Sequence, residues 1–212
     1  KMAAVLEQGY ASVWANCYFE IDGELTTKFS GFGLNKSGEI SPQDYYDGKI
    51  TGEFLIMFRR DAIGQRRFEK GLYGSENTLW IYLFDLPAYY LHDAVRIYRF
   101  HRSDSVTINS FKRPLCIMKG YAMTAELILQ KIGDKNAQAS ANGANSAEPK
   151  FRVNDAHIAI LYKMAAYYAK FGGEYKKMYE YLFKSLKFKF TKEALAMLIL
   201  SPFPKSMILF LT

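Results

Sequence analysis

The stretch GSENTLWIYLFDLPAYYLHDAVRIYRFHRSDS, Gly74–Ser105, decides the fold. Ser75 or Thr78 can cap a helix over Leu79–Phe84, and Pro87 stops it, since the residue before a proline is pushed out of helical backbone. Tyr89–Leu91 and Val95–His101 then read as two short strands joined by a tight His92-Asp93-Ala94 turn. Two motifs in the stretch carry chemistry. Gly74–Trp80 places the carboxylate of Glu76 at the start of a helical pattern, with Asn77 beside it. Tyr98–Ser105 ends an apolar strand in Arg99, His101, Arg102, Ser103 and Ser105. Alternation sends Tyr98 and Phe100 to one side of that strand and Arg99 and His101 to the other. A carboxylic base facing a basic, phosphate-friendly pocket suits a reaction that deprotonates a hydroxyl while expelling a diphosphate.

Upstream, Lys1–Gln8 reads as a helical tail ending at Gly9, already under way at the first residue, so further sequence is expected before it. Ala11–Ile21 and Glu24–Phe29 form a predicted hairpin over the turn Asp22-Gly23. Ser30–Lys49 carries Gly31, Gly33, Gly38, Pro42 and Gly48 and reads as a long loop. Ile50–Arg60 is a predicted strand ending in the pair Arg59-Arg60. Gly52, Glu53 and Phe54 are candidates to line an acceptor pocket, and Trp80 to offer a stacking ring.

Downstream, a helix is predicted from about Pro114 to Ile132. Asp134–Lys150, dominated by Asn, Ala, Ser and Gly without periodicity, reads as a flexible linker. Beyond it the pattern is all helical. Asn154 caps a helix that ends at Gly172-Gly173, Glu174–Phe188 repeats the pattern, and Thr191 caps a third helix closed by Pro202 and Pro204. The helix, Gly-Gly turn, helix order resembles one tetratricopeptide-like hairpin. The reading is α/β for residues 1–133, a linker over 134–150 and a helical appendage over 151–212.

The chain has 212 residues, 50% hydrophobic and 23% charged, which excludes a disordered protein. A formal net charge of +7 favours anionic partners: nucleotide diphosphates, phospholipid surfaces or nucleic acid. Nucleic acid finds no recognisable motif here. Cys17 and Cys116 show neither CxxC nor Cys/His spacing and read as thiols of a reducing compartment. No apolar run reaches bilayer length. Lys176, Lys177, Lys184, Lys187, Lys189 and Lys192 cluster near Phe183, Phe188 and Phe190, ahead of the apolar segments Leu195–Leu200 and Met207–Leu211. Two readings fit that cluster: a peripheral contact with an anionic membrane, or a solvated lysine face on a packed helix.

In order and spacing, Glu76-Asn77 followed by Tyr98-Arg99-Phe100-His101 resembles the second half of the catalytic domain of inverting family 2 glycosyltransferases, which have the GT-A fold. The resemblance covers about Lys1–Thr107. It implies a partial GT-A domain and an activity that moves a sugar from a nucleotide-sugar donor to a sugar or lipid-linked acceptor hydroxyl, with inversion. It also implies a cytoplasmic site, at the inner face of the membrane, and a role in cell-surface polysaccharide synthesis. The family usually has Glu-Asp where this chain has Glu76-Asn77, and the Asp is its base; an amide cannot take a proton. Glu76 then takes that role, or another group supplies it, or this copy is weak. His101 is implied to lie near the donor diphosphate and its Mg or Mn ion, with Arg99 and Arg102 bracing the leaving group. The family's Asp-x-Asp is missing, and Asp44 and Asp47 are spaced wrongly for it, so this chain alone is expected to be inactive. Two rivals stand beside catalysis: Glu76 as a favourable charge at a helix start, and the whole chain as a non-catalytic scaffolding module.

Overall fold

The structure, a computed structural model, describes residues 1–99, 109–141 and 149–203. Its elements run α1 (Met2–Leu6), β1 (Ser12–Ile21), β2 (Glu24–Phe29), β3 (Gly31–Phe32), β4 (Gly38–Glu39), α2 (Pro42–Tyr46), β5 (Thr51–Gly52) and β6 (Phe54–Phe58). There follow α3 (Arg60–Ile63), α4 (Asn77–Trp80), a 3-10 turn (Ile81–Asp85) and β7 (Ala88–Arg99). The last helices are α5 (Pro114–Ala141), α6 (Asp155–Phe171), α7 (Tyr175–Phe188) and α8 (Lys192–Ile199). The expected α/β sheet followed by helices is present. The chain divides into two compact units, one of Lys1–Phe68 with Leu79–Ile108, the other of Glu69–Thr78 with Asn109–Thr212.

In the sheet unit, β1 is the central strand. It pairs in parallel with β7 on one side, and antiparallel with β6 and then β2 on the other, so the sheet is mixed. Alternation along β1 explains why both its faces are buried. Val13 and Ala15 pack with Met2, Val5 and Leu6 of α1. Trp14, on the opposite face, meets Tyr45, Phe54 and Phe84. Asp22 (φ 51°) and Gly23 (φ 87°) turn the predicted hairpin with the two positive φ values that a tight two-residue turn needs.

Several expectations change: the strand expected over Ile50–Arg60 is split into β5 and β6, in different sheets, and the helix expected over Leu79–Phe84 is the end of α4 followed by a 3-10 turn. The Ser30–Lys49 region is not plain loop: it contributes β3, β4 and α2, and α2 buries Tyr45 and Tyr46. Tyr45 stacks on Phe84 with centroids 4.3 Å apart. Its path depends on Gly33 (φ 92°) and Gly52 (φ 90°), where a Cβ would strike the carbonyls of Lys49 and Ser30.

Next, His92-Asp93-Ala94 is not a turn. β7 is one strand of 12 residues, and those residues are a bulge: Ala15 pairs with Leu91 and Asn16 with Ala94. Turn-like composition marks the extra residues, but hydrogen bonding to β1 on both sides of them keeps the strand continuous. Finally, α5 continues past Ile132 to Ala141, through the first half of the expected linker. Ala, Lys and Gln in Asp134–Ala141 are good helix formers despite the missing periodicity. The amide of Asn136 holds both the N–H and the C=O of Phe151. The rest of that stretch, 142–148, lies outside the described residues.

Burial pushes the Tyr45 hydroxyl well above the ordinary tyrosine value of 10.0, with Tyr46 adding to the rise. Unfolded chain ionises this group near pH 10 and folded chain does not, so the unfolded state binds fewer protons there. Stability complete below that pH is therefore lost above it. Alkaline titration followed by circular dichroism should show unfolding setting in above about pH 10, and Tyr45→Phe should flatten that limb.

In the helical unit, α6 and α7 form the predicted hairpin. Asn154 Oδ1 accepts from the N–H groups of Ala156 and His157, and Thr191 Oγ1 accepts from Ala194 N–H. Ser185 Oγ donates to Ala159 O at 2.8 Å, and Tyr162 stacks on Tyr181 and Phe188. The hairpin does not stand alone, because Ile117, Met118 and Ala122 of α5 share its core with Ala165, Ala169, Met178, Leu182 and Met197.

Candidate functional site

Glu76 and Asn77 belong to the helical unit, within the segment Glu69–Thr78. Two contacts hold that segment there. Tyr73 packs on the helical core with the Arg113 guanidinium 4.8 Å from its ring, and Ser75 lies where a side chain on Gly120 of α5 would stand. Gly120 is therefore what lets the turn approach the helix. Thr78 is buried and donates from Oγ1 to Ser75 O at 2.8 Å, closing the turn from inside α4 instead of capping it. Glu76 and Asn77 are exposed at the start of α4. The Glu76 carboxylate is open to solvent.

Arg99 ends β7 in the sheet unit. Its Nε lies 3.0 Å from Glu20 Oε1, so the carboxyl ends of the parallel strands β1 and β7 are tied by an ion pair. Three residues earlier, Arg96 lies 3.6 Å from Glu53 and 5.9 Å from the Tyr98 ring. Two guanidinium groups thus stand within four residues of an exposed strand end, each facing a carboxylate. His101, Arg102, Ser103 and Ser105 lie outside the described residues. Arg59 is exposed and paired with Asp61, Arg60 is exposed, and Trp80 packs between Phe58 and Phe68. Among the described residues no group of three or more His, Cys, Asp or Glu is placed to hold a metal ion.

Sequence reasoning missed a polar line between the middle of β1 and the first half of β7. Asn16 is fully buried in β1; its Nδ2 donates to Tyr90 Oη at 2.5 Å and its Oδ1 accepts from Gly31 N–H at 2.7 Å. Tyr90 Oη in turn meets His92 Nδ1 at 3.0 Å. Beside it Ser30 Oγ donates to Glu53 O at 2.6 Å and accepts from Cys17 N–H, which fixes the backbone of the Gly31–Glu53 crossing. Burial pushes the Cys17 thiol up, with the Ser30 hydroxyl pulling against that rise. The available signal was Asn16 itself, a lone amide inside an apolar strand, where a buried polar group must find partners.

The mixed α/β unit carries a basic strand end, and the helical unit carries an exposed carboxylate. No protein-family model matches the chain, and no solved structure does. The chain is similar to the GalNAc(5)-diNAcBac-PP-undecaprenol beta-1,3-glucosyltransferase of Campylobacter jejuni, 39% identical over 204 residues. The alignment covers 95% of this chain and 60% of that protein, so the chain spans about three fifths of its relative's length.

Proposed function

We propose that this chain is the acceptor-side part of a glycosyltransferase that moves a sugar from a nucleotide donor to a hydroxyl of a lipid-linked saccharide, with inversion. The observation that carries the reading is the 39% identity, across 95% of the chain, to a transferase named for an undecaprenol-diphosphate acceptor. The family 2 resemblance and its GT-A fold supply the finer assignment. Glu76 takes the proton from the acceptor hydroxyl as the oxygen bonds to the anomeric carbon. The bond from that carbon to the diphosphate breaks, and the electron pair leaves with the nucleoside diphosphate. Arg99, with His101 and Arg102, balances the charge on that leaving group. Asn77 cannot serve as base and keeps only hydrogen-bonding capacity. A divalent cation, Mg or Mn, belongs to the proposal through His101; the described residues offer no ligand set for one. The place of action is the cytoplasmic face of the membrane, where donor and lipid-linked acceptor meet.

The test is transfer by the full-length gene product from a panel of nucleotide sugars, with divalent cation, to a polyprenyl-diphosphate-linked oligosaccharide. Consumption of one donor with an inverted linkage in the product is expected. No donor consumed across the panel would favour the second reading, a scaffolding module, to which Asn77 and the α6–α7 hairpin also point.

A further inference from the structure

We propose that one face of α7 and α8 docks on the surface of an anionic phospholipid bilayer. The purpose of such docking rests on the lipid-linked acceptor proposed above; its physics does not. Phe183, Phe190 and Ile199 are 60%, 66% and 62% exposed, far more than large apolar side chains of a packed helix need be. Tyr175, Tyr179 and Phe183 recur every four residues and form one line along α7.

The end of α8 adjoins that line. Tyr179 Oη lies 2.7 Å from Ser201 Oγ, and Lys170 Nζ, 6.0 Å from the Tyr175 ring, donates to Phe203 O at 2.7 Å. Ile199 at the end of α8 and the half-exposed Phe203 just past it therefore adjoin that apolar line.

Charge selects the partner. Between Glu174 and Phe203 stand six lysines against three glutamates. Lys184 is engaged with Glu180 and Glu126, but Lys176, Lys187, Lys189 and Lys192 are exposed. Helical periodicity puts Lys187 beside Phe183 and Lys176 on the same face two turns earlier. Rings that sink to the acyl boundary with ammonium groups at headgroup level are what an interfacial helix requires. A second copy would set lysine face against lysine face, which like-charge repulsion opposes. A nucleic acid would leave Ile199 without a stacking partner. Among the described residues no helix is long and apolar enough to cross a bilayer, so the contact is one of lying on the surface.

The probe is the 212-residue chain sedimented with vesicles of phosphatidylcholine alone, or of phosphatidylcholine and phosphatidylglycerol in equal parts. Binding to the anionic vesicles alone, weakened by salt, is expected. Lys176→Gln with Lys187→Gln should weaken it about 25-fold, at about fivefold for each lysine near such a surface. Phe183→Ser with Ile199→Ser should weaken it about tenfold or more. Both pairs are exposed, so the helical circular dichroism should not move. Equal binding to both vesicles, binding to neither, wild-type binding by either double variant, or self-association through this face would each overturn the proposal. Transfer to a detergent-solubilised acceptor is read separately, so an active enzyme that ignores vesicles overturns the docking and leaves the sugar-transfer reading intact.

Discussion

Lys170→Met should lower the stability of the helical unit by about 3 kcal/mol, against a change within about 0.5 kcal/mol for Lys176→Met at an exposed position of α7. Lys170 is only 1% exposed, an ammonium group inside a helix bundle. Its Nζ donates to the carbonyls of Leu200, Ser201 and Phe203 at 3.4, 2.5 and 2.7 Å. These carbonyls belong to the C-cap residue of α8 and the turn just past it, beside a helix end that carries partial negative charge. The side chain is thus a cap delivered from α6 to α8 across 30 residues of sequence. Burying the charge costs several kcal/mol, and the three carbonyls offset that cost; removing it takes the ammonium donor from the Ser201 and Phe203 carbonyls, while the Leu200 carbonyl keeps the Phe203 N–H. Methionine fills the space without donating, so packing survives and the loss is polar. Urea unfolding followed by helical circular dichroism reads the effect. A shift under about 1 kcal/mol would mean that water replaces the ammonium and that the cap does not hold α8 in place.

The same lysine shows where the sequence stops being legible. A lysine in the last turn of a helix has a standard reading, the helix's own carbonyl end, and Lys170 occupies that place in α6. What it binds lies after α8, and no local pattern encodes a contact between segments that meet only through packing. The hairpin of β1 and β2 was readable because Asp22-Gly23 carries its own turn geometry, and the Asn154 and Thr191 caps because capping is decided within three residues. β7 was misread for the converse reason. His92-Asp93-Ala94 has turn composition, but the parallel pairing with β1, more than 70 residues away, makes it a bulge. The candidate site divides the same way. Glu76 was visible as a carboxylate at a helix start. That its segment belongs with the helices depends on the absent side chain of Gly120, some 40 residues downstream, and so could not be read locally.

On the proposed sugar transfer, Glu76→Gln should lower the rate of the full-length gene product about 10²- to 10⁴-fold, the usual worth of a positioned general base. Glutamine keeps the shape and hydrogen-bonding reach of the side chain and loses only its ability to accept the proton. Glu76 is exposed and precedes α4, so the substitution removes no packing, and the unfolding curve should superimpose on that of the parent. A loss of rate without a loss of stability, and with acceptor binding held, is the signature of a group that acts in the transition state. Asn77 supplies the internal control. Asn77→Ala should change the rate by no more than a few fold, since an amide was never the proton acceptor. Asn77→Asp, made in the Glu76→Gln background, asks whether the adjacent position can take over. Recovery there would place the acceptor hydroxyl nearer residue 77 than residue 76 and move the base by one residue without disturbing the mechanism. An unchanged rate in Glu76→Gln alone is the damaging result: the exposed carboxylate just before α4 would be a helix-end charge and nothing more, and the proton would have to leave by a group elsewhere in the protein.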